Sequence, residues 1–256
     1  MLAGAFLWTG SKQKMMRHIE PIIASIEFDS FVEPFFGSGV VSLNTKAKTY
    51  YVNDISKHIV NFFAVLRDND KRKELIKLLE LTPYAEDEFY FCRDNLKESC
   101  DQIERARRFF VSRQLSMFGA GTSFYVTEFK NSVTKMQNKI QQLHIVAEII
   151  KTFHICNKDA FDFLKLFNDK NTLIYCDPPY PETVNKYNTK AFTIKDFERL
   201  LQVLAGKQCK AIVSSYKMEC IIPRCFEVKT FKTRCQSTAF TNGDHERIEC
   251  LYIKRY

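Results

Sequence analysis

Two adjacent prolines, Pro178 and Pro179, follow almost directly on the apolar run Thr-Leu-Ile-Tyr-Cys at 172–176. Proline carries no N–H for a strand ladder and its φ is fixed. A buried strand must therefore end here, and the chain must leave its sheet at Asp177. The stiff corner aims the Asp177 carboxylate and the Pro178 carbonyl toward one point, and Tyr180 sets a flat face beside it. Two acceptors next to a stacking plane meet the needs of an exocyclic amine on a planar base. A plain Pro-rich turn is the competing reading.

The segments around this corner alternate in texture. Residues 30–36 (SFVEPFF) read as a short buried strand, broken by Gly37-Ser38-Gly39, with a first helical turn at 40–46. A second apolar strand at 49–52 ends at Asn53-Asp54, and 57–67 carries a helical stripe. Further on, 152–156 reads as a strand, 159–167 as a helix, 194–204 as a helix and 211–214 as a strand. Two late strands, 227–231 and 248–253, could pair. Strands alternating with helices imply an α/β fold with a parallel, Rossmann-like sheet. The stretch between the second and third strands breaks that rhythm. It reads as helices at 70–81, 85–96, 102–118 and 132–151, with a Gly/Ser/Thr-rich aromatic loop at 119–129. The expected organisation is a catalytic domain, 1–56 and 150–256, interrupted by a mainly helical domain, 57–149.

Charge supports a polyanion partner. The formal net charge is +8. Residues 99–151 hold eight Lys/Arg against four Asp/Glu, and residues 205–256 hold ten against five, while 71–98 is near neutral. Two basic segments fit a nucleic-acid surface or, equally, two solvated faces. Hydrophobic residues at 45% are enough for a sizeable core. No apolar run has the roughly 18 residues of a membrane span, and the N-terminal stretch lacks the basic start of a signal peptide. The nine cysteines form no Cys-x-x-Cys pair, so free thiols in a reducing cytoplasm are expected rather than zinc.

In an open α/β sheet, ligands bind at the carboxyl ends of the strands. Gly37 and Gly39 fall there, where glycine lets the backbone approach a ligand closely, though a simple tight turn reads the same way. Asp54 falls there too, able to accept from two ribose hydroxyls or to cap the next helix.

This combination resembles the S-adenosylmethionine-dependent DNA adenine-N6 methyltransferases of the Dam type. The matching pieces are Trp8-Thr9-Gly10-Ser11-Lys12, Phe31-Val32-Glu33-Pro34-Phe35-Phe36-Gly37-Ser38-Gly39 and Asn53-Asp54. Asp177-Pro178-Pro179-Tyr180 and Arg247-Ile248-Glu249-Cys250-Leu251-Tyr252 complete them. Their order is the family's order, glycine motif, insertion, then DPPY, and the insertion is where that family recognises its target.

The resemblance implies methyl transfer from S-adenosylmethionine, leaving S-adenosylhomocysteine, to the amine of an adenine flipped out of DNA, with no metal. It implies donor contacts from Trp8, Gly10, Lys12, Phe36, Gly37, Gly39, Asp54 and Asp177, with Asp159 and Phe161 near the donor's adenine. Asp177, Pro178, Pro179 and Tyr180 would be catalytic. Within the insertion, Arg105, Arg108, Arg113, Ser116, Lys130 and Lys135 are the expected DNA contacts. The protein is expected to be a monomer in solution that could pair on DNA, away from any membrane. An Asn-Gly-Leu-Cys-Arg-Tyr string is absent and Arg113-Gln114-Leu115-Ser116-Met117-Phe118-Gly119 stands there, so GATC specificity is not implied. Two other functions stay open. One is methylation of RNA or of cytosine N4, and the other is a catalytically silent DNA-binding relative.

Overall fold

A computed structural model describes residues 1–98, 100–125, 132–180, 192–234 and 246–256. Its helices are α1 (Met16–Ala24), α2 (Lys57–Arg67), α3 (Asn69–Leu81), α4 (Glu86–Asp94), α5 (Gln102–Gln114), α6 (Ser132–Ile150), α7 (Ala160–Leu164) and α8 (Ile194–Ala205). Its strands are β1 (Ser30–Glu33), β2 (Thr49–Asn53), β3 (Phe153–Cys156), β4 (Thr172–Cys176), β5 (Lys210–Tyr216), β6 (Glu227–Arg234) and β7 (Glu246–Lys254). These form two units. The first comprises 1–21, 37–46 and 54–157, and the second 22–36, 47–53 and 158–256.

Six of the seven strands among the described residues belong to the second unit, in the order β2-β1-β4-β5-β7-β6. β1 runs parallel to β2 and β4, and β4 parallel to β5. Every residue of β4 is buried, as expected of an apolar strand covered on both faces. β7 is antiparallel to both β5 and β6. The late strands therefore pair as their sequences predict, with the reversed strand β7 lying between β5 and the edge strand β6. α8 buries Phe197, Leu200, Leu201 and Leu204 at helical spacing. It starts at a capping box in which Thr193 and Asp196 satisfy each other's backbone N–H groups.

The first unit is helical and rich in phenylalanine. Phe62 of α2 stacks on Phe110 of α5 at 5.9 Å, and Phe6 meets Phe62 and Phe109 edge-on at 5.3 and 5.0 Å. Asp68 and Asp101 cap α3 and α5 by accepting from two backbone N–H groups each. Arg107 of α5 donates to both Glu104 and Glu88, which ties α5 to α4. α6 secures the N-terminal segment: Lys139 Nζ donates to the Gly4 carbonyl at 2.7 Å and Gln142 Nε2 to the Ala3 carbonyl at 2.6 Å. The helical segment 57–149 lies wholly in this unit, together with residues 1–21 and the glycine turn.

Three local expectations change. The helical turn expected over 40–46 is a three-residue 3-10 turn, Ser42–Asn44. The helix expected to reach 118 ends at Gln114, because the chain doubles back and the Leu115 carbonyl accepts from Tyr125 N at 2.9 Å. α1 has no counterpart in the sequence reading. Pro21 inside it mimics a helix stop, although Met16, Ile19, Ile22 and Ile23 are all buried. No helix among the described residues is long and apolar enough to cross a membrane.

Candidate active site

In the second unit the parallel strands bring their carboxyl ends to one edge of the sheet. β1 ends at Glu33, β4 at Cys176 with Asp177 next, and β5 at Tyr216. The reversed strand adds Glu249, which pairs with Tyr216. A hydroxyl chain runs through this edge. Tyr175 OH donates to Ser214 Oγ at 3.2 Å, and Ser214 Oγ donates to Asp177 Oδ1 at 2.8 Å. Pro178 is buried behind Asp177. Tyr180 meets Tyr216 edge-on at 4.3 Å, and its hydroxyl donates to Glu249 Oε2 at 3.5 Å. The ring is therefore fixed at two points.

The edge is electronegative. Burial, then the Asp177 carboxylate, push the Tyr175 hydroxyl well above the ordinary phenol range, and Glu33 and Glu249 add to the effect. The Tyr180 hydroxyl is raised by burial, Asp177 and Glu249. Both phenols stay protonated and act as donors. Negative charge focused on one buried edge favours N–H donors and positive charge.

The first unit holds the glycine turn. Gly37 has φ +52, and a Cβ added there would stand 3.1 Å from Trp8 Nε1. Gly37 N donates to Asp54 Oδ2 at 2.9 Å, and Ser56 N donates to Asp54 Oδ1 at 2.9 Å. Asp54 thus fixes the turn rather than capping α2. Burial raises its carboxyl to about 6, against the pull of these two N–H groups. Gly10 and Gly39 also take positive φ. Lys12 is buried and donates to the Gly10 carbonyl at 2.9 Å. In the second unit, Phe36 is buried and its N–H donates to the Asn53 carbonyl at 2.9 Å. Asp159 caps α7 through Phe161 N and Asp162 N, and the Arg199 guanidinium lies 4.2 Å over the Phe161 ring.

The expected DNA contacts divide. Lys135 is exposed on α6. Arg105 donates to the Cys100 carbonyl at 3.0 Å. Arg108 and Arg113, expected to reach phosphates, are engaged inside their unit. Arg108 binds Glu104 at 2.7 Å and the Asn95 carbonyl at 2.9 Å. Arg113 donates to the Ala120 carbonyl at 2.7 Å and lies over Trp8 and Phe109. Ser116 is buried, donating to the Arg113 carbonyl and accepting from Gly121 N. Lys130 lies outside the described residues. Sequence reasoning missed Ser214, Tyr216 and Glu33 as parts of the Asp177 edge. Ser214 closes the segment read as a strand at 211–214, which was the available signal. Among the described residues, no group of three or more His, Cys, Asp or Glu could hold a metal ion.

A mainly parallel sheet carries an Asp-Pro-Pro-Tyr corner at its carboxyl edge, the edge at which open α/β sheets bind ligands. Residues 8–247 match the D12 class N6 adenine-specific DNA methyltransferases. The chain belongs to this family and is an S-adenosylmethionine-dependent, adenine-specific DNA methyltransferase. The DNA adenine methylase of Haemophilus influenzae is 26% identical over 225 residues, covering 84% of this chain and 77% of that protein. The Type II methyltransferase M1.LlaDCHI of Lactococcus lactis subsp. cremoris is 24% identical over 213 residues, covering 75% and 72%. A solved structure described as the putative methyltransferase yhhF of Escherichia coli aligns with a TM-score of 0.41 at 11% identity, over 96% of this chain and 85% of that one.

Proposed function

We propose that the chain methylates the N6 amine of an adenine flipped out of DNA, with Asp177, Pro178, Pro179 and Tyr180 holding the base. The observation that carries this reading is the Asp177 carboxylate, held by Ser214 at the end of a fully buried strand beside a ring fixed by Tyr216 and Glu249. The adenine amine donates one hydrogen to Asp177 and the other to the Pro178 carbonyl. This draws the nitrogen lone pair out of conjugation with the ring. As the N–C bond forms, the bond from the methyl to the donor's sulfur would break, its electron pair staying on sulfur to leave S-adenosylhomocysteine; nitrogen becomes cationic, and the electronegative edge stabilises that charge without reorganising. The proton leaves after transfer, when the amine is a strong acid, so no dedicated base is required. Flipping costs a few kcal/mol, and stacking on Tyr180 returns roughly 1–3 kcal/mol.

S-adenosylmethionine, when bound, supplies an already activated methyl on a sulfonium, so the chain's task is positioning. The residues present fit that donor. The bare Cα of Gly37 leaves a cradle against Trp8 that a Cβ would fill, and Asp54 offers a desolvated carboxylate to ribose hydroxyls. Lys12, Gly10, Gly39 and Phe36 shape the two turns, and Asp159 and Phe161 are proposed to line the donor's adenine.

DNA contacts are proposed for the segment 57–149. Lys135 and the exposed rings of Phe118 and Tyr125 support this. The protein acts as a monomer that pairs on DNA if at all, in the cytoplasm, where its thiols stay reduced. The test is transfer of labelled methyl to duplex DNA and to RNA, followed by nucleoside analysis. N6-methyladenine from DNA is expected, lost in Asp177→Ala. N4-methylcytosine, label in RNA alone, or an Asp177→Ala protein at the parent rate refutes the reading.

A further inference from the structure

Residues Leu7 to Thr9 are clasped by the end of α5 and the segment that follows it. Leu7 N donates to Gln114 Oε1 at 3.3 Å, and Thr9 Oγ1 donates to the Phe118 carbonyl at 3.0 Å. Gly119, at φ +71, lies so close that an added Cβ would stand 2.4 Å from the Leu7 carbonyl. Arg113 completes the clasp. Its Nη1 donates to the Ala120 carbonyl at 2.7 Å, and its guanidinium carbon lies 5.1 Å from the Trp8 ring centroid and 5.5 Å from that of Phe109. Gly121 leaves it room, since a Cβ there would fall 2.7 Å from Nη1. The Nε1 edge of the same indole faces Gly37.

We infer that Arg113 is a positioning residue for the donor-binding turn: it fixes the Trp8 indole against Gly37 and so joins the loop at 116–125 to the donor half of the site. This rests on the reading above that Trp8 and Gly37 hold S-adenosylmethionine. A planar guanidinium suits the task, because one face can lie on an aromatic ring while an edge donates to a carbonyl. A phosphate contact needs that same edge. The loop carries Phe118 at φ +53, a backbone conformation that non-glycine residues rarely hold without support from their surroundings. Here its carbonyl is anchored by Thr9.

Trp8 is the single tryptophan of the chain, so its emission reports this contact directly. Calorimetric titration with S-adenosylmethionine, Trp8 fluorescence and steady-state kinetics are compared for the parent, Arg113→Ala and Arg113→Lys. Arg113→Ala is expected to weaken donor binding about tenfold, on the scale of one partly desolvated cation–π contact. KM for the donor should rise with kcat at saturating donor within about twofold, the pattern of lost uniform binding. Trp8 emission should shift to the red. Arg113→Lys, which keeps the charge and most of the side-chain volume, should fall between the two. Unchanged donor binding in both variants overturns the inference, as does a rise in KM for DNA alone. A parent chain that binds no S-adenosylmethionine overturns the donor-site reading as well, and so separates the two failures.

Discussion

Ser214 donates its hydroxyl hydrogen to Asp177 across 2.8 Å while its own oxygen accepts the Tyr175 hydroxyl at 3.2 Å. Asp177 therefore does not choose its own rotamer. Ser214→Ala frees the carboxylate to swing and should lower kcat about tenfold, with the donor dissociation constant nearly unchanged. Asp177→Ala, which removes the acceptor itself, should cost on the order of 10²–10³-fold, the scale of losing one preorganised electrostatic group. Single-turnover methyl transfer measures both, and a Ser214→Ala rate equal to the parent's contradicts the positioning role.

The proposed role of Asp54 as acceptor for the donor's ribose carries a pH dependence. Its carboxyl is raised to about 6 by burial, above its ordinary 3.8. For the fold, the sign is that of a raised acid. Its stabilising contribution is complete below about pH 3.8 and is lost as pH rises through about 6. Donor binding runs the other way, since a ribose needs the ionised acceptor. Affinity for S-adenosylmethionine should fall about tenfold from pH 7.5 to pH 5, as ionisation at a pKa near 6 dictates. Asp54→Asn should bind weakly at both values. Titration calorimetry at the two pH values decides.

Gly119→Ala meets two penalties together. The left-handed conformation costs a non-glycine residue about 1–2 kcal/mol, and the added methyl would overlap the Leu7 carbonyl. Stability should drop by at least about 2 kcal/mol, read as a shift of the urea midpoint at constant slope. Gly10→Ala is the comparison. It has positive φ but nothing within 4 Å of the added Cβ, so it should lose only the conformational part.

Arg107 sits between Glu88 and Glu104 with its side chain 13% exposed. Arg107→Ala takes the guanidinium from Glu88 between α4 and α5, while Glu104 keeps Arg108. The expected loss is about 3 kcal/mol, because breaking a largely buried pair strands the Glu88 carboxylate. Arg107→Ala combined with Glu88→Gln should recover part of it, which a double-mutant cycle in urea measures.

The elements that could be read from the sequence are those written locally. The apolar run before Asp177, the stripe of 57–67 and the spacing in 194–204 each report their own neighbours, and all three form as their patterns predict. The late strand pair was visible for the same reason. The edge around Asp177 was only half visible. Ser214 and Glu249 arrive by strand register, 37 and 72 positions further along the chain, and no local pattern encodes register. The contact of Arg113 with Trp8 was not legible, because an arginine on a basic amphipathic helix reads alike whether it faces a phosphate or an indole. Its partner Trp8 is 105 positions upstream.

The absence of a side chain at Gly119 has an engineering corollary. The segment after α5 is moulded directly on the Leu7 backbone, so neither piece is a free-standing cassette. A chimera that imports this segment from a relative would need residues 5–9 from the same source. Swapped by itself, the graft would land on a foreign floor and disturb the seat of the indole before it met any substrate.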